Sequence, residues 1–139
     1  MSNKKRMDME INFIYNSNAL QEREALGYVK SLGNHKINET DVYNNALTER
    51  MLADIARKLN VMVSDLLDPE NDKYKDELKD ADFEDNDILK MICEDFSLLR
   101  TPIMLFKEGA KFVKSPYDTN SIDMALEDIQ STMANSDEK

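Results

Sequence analysis

One cysteine, one histidine and a short run of alternating carboxylates invite a chemical reading in this 139-residue chain. Cys93 could serve as a nucleophile only as a thiolate, and its neighbours Glu94 and Asp95 work against ionisation. A helical position beside Ile92 makes it a small core residue instead. His35 follows Gly33-Asn34 in a turn, with no second histidine or cysteine nearby to complete a metal site. Asp68, Glu70 and Asp72 alternate like the start of a calcium loop. Lys73, however, takes the glycine position of such a loop and Lys79 that of its closing glutamate. The nine methionines fall largely on helical stripes, where core packing explains them. There is no phosphate-cradling glycine loop and no Ser/His/Asp arrangement, and the residues imply no cofactor.

The elements that would position these groups follow from periodicity. Met9, Ile11 and Phe13 alternate with Glu10 and Asn12 before Ile14-Tyr15, which predicts a first strand. Asn16-Ser17-Asn18 offers capping side chains for a helix of about 19–32, whose Ala25, Leu26, Val29 and Leu32 recur at helical spacing before Gly33. Lys36 to Val42 is predicted as a strand parallel to the first. Thr48 caps a helix ending near Leu59-Asn60, and Ser64 to Leu67 forms a helical turn closed by Pro69. After a charged stretch, Asp87 caps a helix that turns Ile88, Met91, Ile92 and Phe96 inward. Two apolar runs flank a hairpin turn at Glu108-Gly109. Asn120 or Ser121 caps a last helix with Ile122, Leu126, Ile129 and Met133 on one face. The predicted fold class is therefore α/β: a thioredoxin-like, mixed four-stranded sheet with helices on both faces. A helical insertion occupies about 44–97. The domain spans 9–134, between a disordered amino-terminal segment 1–8 and a tail at 135–139.

Composition narrows the classes of partner. With 28 acidic against 18 basic residues the net charge is −10, which disfavours direct contact with nucleic acid and anionic membranes. Asp65 to Asp95 holds thirteen of the acidic residues and four lysines, a net of −9. Such a stretch keeps the protein soluble and would favour a basic protein partner. No apolar run approaches the roughly 20 residues of a membrane-spanning helix. One cysteine permits no internal disulfide, in keeping with a reducing, cytoplasmic compartment.

Three stretches carry a resemblance to a known family. They are Ile14-Tyr15-Asn16-Ser17-Asn18 leading into a helix; Leu59 to Val63 followed by Ser64-Asp65-Leu66-Leu67; and Leu98-Leu99-Arg100-Thr101-Pro102-Ile103 with Gly109 and Val113-Lys114-Ser115-Pro116. Together they make the chain, over roughly 11–133, similar to the arsenate reductase (ArsC) and Spx family. The resemblance implies a cis Pro102 and an ArsC-type fold. It also implies a reactive cysteine a few residues after the first strand, where an ungapped match finds Leu20 and a one-residue deletion finds Ala19. Arg23 falls on a second-cysteine position or on the family's helix arginine, according to the gap.

Of the three anion-binding arginines the resemblance implies, Asp68 and Thr101 replace two, and Lys114 keeps only the charge of the third. A carboxylate at Asp68 would repel an arsenate-like anion by about 1 kcal/mol at about 4 Å in bulk water, and by several times that in a drier site. The expected vestigial rim comprises Asn16, Ser17, Asn18, Ala19, Leu20, Gln21 and Arg23, with Thr101, Pro102 and Lys114. The expectation is a catalytically degenerate member acting as a protein-binding or regulatory module. The alternative is an enzyme using an external thiol such as glutathione beside Pro102. A third reading is a dimer covering the apolar rim at Leu20. Oligomeric state and partner stay open.

Overall fold

A computed structural model of the chain describes residues 10–33, 35–78, 81–116 and 118–137. The expected amino-terminal segment lies outside them. Strands β1 (Glu10–Tyr15), β2 (Lys36–Asp41), β3 (Ile103–Phe106) and β4 (Gly109–Phe112) form one sheet in the order β2-β1-β3-β4. Helices α1 (Leu20–Leu32), α2 (Glu49–Leu59), α3 (Asp85–Glu94) and α4 (Thr119–Asp137) complete the main elements. Helix α4 continues past residue 134, where the sequence reading ended the domain. Shorter helical turns occupy Val63–Leu66, Tyr74–Leu78 and Phe96–Leu98.

β1 is the hub of the sheet. It runs parallel to β2, with Phe13 opposite Glu39, and antiparallel to β3, with Phe13 opposite Met104. Period-two alternation sends its side chains to two separate cores. Ile11, Phe13 and Tyr15 join Met104 and Phe106 under α1 and α4, whereas Ile14 joins Ile103 and Ala110 under α2 and α3. Ile11, Phe13, Ile92, Ile103, Met104, Ile122 and Ile129 are completely buried. Burial of each such side chain stabilises the fold by about 1.5–3 kcal/mol before entropy is charged against it. On the first face, the Tyr28 hydroxyl of α1 donates to the Asp123 carboxylate of α4 at 2.7 Å.

Local signals placed most elements, and capping is where they erred. Thr48 caps α2 as expected, accepting from the Met51 N–H at 3.1 Å, and Asn60 closes that helix in the left-handed region at φ 62°. None of Asn16, Ser17 and Asn18 caps α1: its N-cap is Ala19, because Asn16 Oδ1 is engaged by the Asn18 N–H within the loop. Helix α3 starts two residues before Asp87, which instead sits with Asp85 in the first turn, where carboxylates suit the helix dipole. Its buried residues are Ile88, Leu89 and Ile92, while Met91 and Phe96 are half-buried.

At α4 Asp118 takes the capping role, its carboxylate accepting from the Asn120 N–H at 3.0 Å. Ser121 instead accepts from the Ser115 N–H at 3.1 Å. The hairpin turn is Lys107-Glu108, because Gly109 already belongs to β4 and pairs with Phe106. β2 ends at Asp41, although the Val42 N–H still reaches the Tyr15 carbonyl at 2.9 Å.

Candidate functional site

The parallel pairing of β1 and β2 brings the loops that leave both strands to one end of the sheet, and the turn before β3 joins them there. The loop after β1 is held from two sides. The Ser17 N–H donates to Asp41 Oδ1 at 3.0 Å, and the Arg23 guanidinium donates to the Ser17 carbonyl at 2.6 Å. Asp41 also accepts from the Tyr43 N–H and the Asn44 amide, at 3.0 and 2.6 Å. Burial alone would raise its carboxyl, but the hydrogen bonds from Ser17, Asn44 and Tyr43 outweigh that and hold it below its usual range.

The centre of this end is occupied by Glu22, a residue the sequence analysis passed over. Its carboxylate accepts from the Asn16 N–H at 2.8 Å through one oxygen and from the Thr101 hydroxyl at 2.9 Å through the other. One side chain thus ties the loop after β1 to the residue before Pro102. The Thr101–Pro102 peptide bond is cis. Burial pushes the Glu22 carboxyl above its usual range despite both hydrogen bonds, and the Asp68 carboxylate adds to the rise. Two acidic groups therefore act at the same place. An incoming oxyanion would meet repulsion from them, while the Arg23 guanidinium is engaged by the Ser17 carbonyl.

The expected rim residues divide. Asn16, Ser17 and Arg23 converge with Thr101 and Pro102 around Glu22. Asn18 and Gln21 are exposed, Ala19 is the N-cap of α1, and Leu20 begins that helix with 54% of its surface exposed. Lys114 lines two grooves beside β4 and the start of α4, together with Phe112 and Ala125. Its backbone neighbour Val113 donates to the Pro102 carbonyl at 3.0 Å.

Glu22 stands three residues after the N-cap, the position from which a carboxylate in a capping box reaches back to the chain before its helix. That spacing was the available signal, and the absence of Ser or Thr at position 19 concealed it. Its pairing with Thr101, 79 residues away, had no local trace.

The other candidates lie apart from this arrangement. Cys93 is half-buried in α3, its thiol donating to the Leu47 carbonyl at 3.4 Å. Burial pushes the thiol pKa up, with Glu49 and Glu94 adding to it. Asp68 caps its own turn by accepting from the Glu70 N–H at 3.0 Å. The strand-like bridge of Leu67 to Leu99 fixes Asp68 beside the segment that leads to Pro102. His35 is half-buried in the bend before β2. Among the described residues no group of three or more His, Cys, Asp and Glu side chains is arranged to hold a metal. Among them, too, no helix is long and apolar enough to cross a membrane.

This architecture, a mixed four-stranded sheet with a helical insertion between β2 and β3, is a thioredoxin-like α/β fold of the ArsC type. No protein-family model and no curated protein matches the sequence. Solved structures match the fold. The arsenate reductase from Vibrio cholerae superposes with a TM-score of 0.71 over 87% of this chain and 98% of its own, at 18% identity. A Yersinia pestis protein, whose assignment as an arsenate reductase is itself provisional, gives 0.67 over 76% and 94%, also at 18% identity. A Staphylococcus aureus protein solved by NMR gives 0.58 over 73% and 88%, again at 18% identity. At such identities the likeness establishes the shared fold.

Proposed function

We propose that this chain is a catalytically degenerate relative of the arsenate reductases, a cytoplasmic thioredoxin-fold protein that acts as a protein-binding or regulatory module. The observation that carries the reading is the chemistry at the mouth of the scaffold. Ala19 and Leu20 stand where the resemblance asks for a nucleophilic sulfur, and the Glu22 carboxylate faces Thr101 where it asks for an anion. Thiol chemistry requires a thiolate to attack, and an oxyanion substrate requires cations to hold it. The lone Cys93 contacts Leu47 and feels Glu49 and Glu94, none of which belongs to the rim.

A binding role is supported by Leu20, an apolar side chain more than half exposed next to the polar rim, and by the acidic stretch 65–95, which suits a basic partner surface. The competing enzyme reading needs an external thiol such as glutathione docked beside Pro102. The purified protein is assayed for arsenate and model-disulfide reduction with glutathione. No turnover above the protein-free control is expected. Turnover abolished by Cys93→Ser would overturn the proposal and establish the enzyme reading. On the binding side, Leu20→Glu is expected to abolish capture of the partner that the wild-type chain retains, without lowering its unfolding temperature.

A further inference from the structure

We propose that the outer edge of β4 is a docking site for an acidic, extended protein segment, which adds to the sheet as a fifth strand while its carboxylates meet Arg100, Lys111 and Lys114.

β4 is the last strand in the order β2-β1-β3-β4 and pairs only with β3, so its other edge presents backbone groups to no strand. Beside it runs a groove of about 330 Å³, walled by Leu59 of α2 and Ala125 of α4, with Ala110 and Phe112 of β4 between them. A strand can lie in such a trough, taking main-chain hydrogen bonds from the edge and setting alternate side chains into the walls.

Charge identifies the occupant. Arg100, Lys111 and Lys114 line this groove, with Asp128 as its one carboxylate. Among the described residues none of the three cations forms an ion pair. The Arg100 guanidinium lies 4.0 Å over the Phe112 ring, a stacking that holds its plane while leaving edge donors for a carboxylate. In a chain of net charge −10, the stretch from 98 to 116 carries four basic residues against the single Glu108. The opposite edge strand, β2, carries Glu39 and Asp41 against the single Lys36. Cations are thus gathered at one edge of an acidic protein. Pairing of β4 with β4 of a second copy would set those cations against their own kind, which charge disfavours. The proposal does not depend on the loss of thiol chemistry.

The test uses the full chain and a fluorescein-labelled peptide of alternating Glu and Val, with a Lys-Val peptide as control. Fluorescence anisotropy is expected to show saturable binding of the Glu-Val peptide only. Amide hydrogen exchange is expected to slow within 109–112. The double reversal Lys111→Glu with Lys114→Glu is expected to raise Kd by about tenfold or more, with an unchanged unfolding temperature. The proposal is overturned by an absence of binding, by binding that survives the double reversal, or by binding without protection of β4, which would mark a diffuse polyanion contact. Self-association of the wild-type chain that the double reversal removes would equally overturn it, since the occupant would then be a second copy.

Discussion

Replacing Glu22 separates its two roles, as an acceptor of hydrogen bonds and as a charge. In Glu22→Ala the Asn16 N–H and the Thr101 hydroxyl both lose their partner. Hydrogen bonds to a charged group contribute about 1.5–3 kcal/mol each when buried, but water replaces part of that at a half-buried site, so a total loss of about 1–2 kcal/mol is expected. At this chain length that corresponds to a fall in Tm of about 3–8 °C. Glu22→Gln behaves differently. Its amide oxygen can accept from Asn16 while its NH₂ donates to Thr101, whose hydroxyl both donates and accepts. It also removes a negative charge that burial and Asp68 disfavour. The glutamine variant is therefore expected to be at least as stable as the wild type at pH 7.

The dependence on pH gives a second readout of the same residue. Because the folded pKa lies above the ordinary 4.5, the protonated carboxyl favours the folded state, fully below 4.5. That contribution disappears as the pH rises through the raised folded value. Glu22→Gln should flatten the stability profile in this window. Urea unfolding followed by circular dichroism over a pH series measures both effects. The reasoning fails if Glu22→Gln costs as much as Glu22→Ala at pH 7, or if the slope persists in the glutamine variant.

One further substitution and one reaction probe the scaffold. Thr48→Ala removes the hydroxyl that accepts from the Met51 N–H and should cost about 1 kcal/mol in urea unfolding; a change within error would show that the cap contributes nothing to α2. Cys93, raised in pKa by burial and by Glu49 and Glu94, should react with an aromatic disulfide reagent at pH 7 more slowly than free cysteine, and speed up when urea unfolds the chain. A folded-state rate equal to that of free cysteine would contradict its described environment.

The sequence by itself determined the elements whose signals are local. Alternation fixed β1, helical spacing fixed α1 and α2, Thr48 and Asn60 marked the ends of α2, and Pro102 with the hairpin marked the route to β4. Residue identity alone also shows that no cysteine stands between Asn16 and Arg23. Tertiary structure decided what fills the mouth. Glu22 meets Thr101 across 79 positions, Asp41 reaches Ser17 across 24, and Lys114 lines a groove at the β4 edge. A hydrogen bond between distant residues depends on strand register and helix placement, which the whole core fixes together. Caps fail for a related reason: several polar side chains compete for each helix end, and the loop's other contacts select among them.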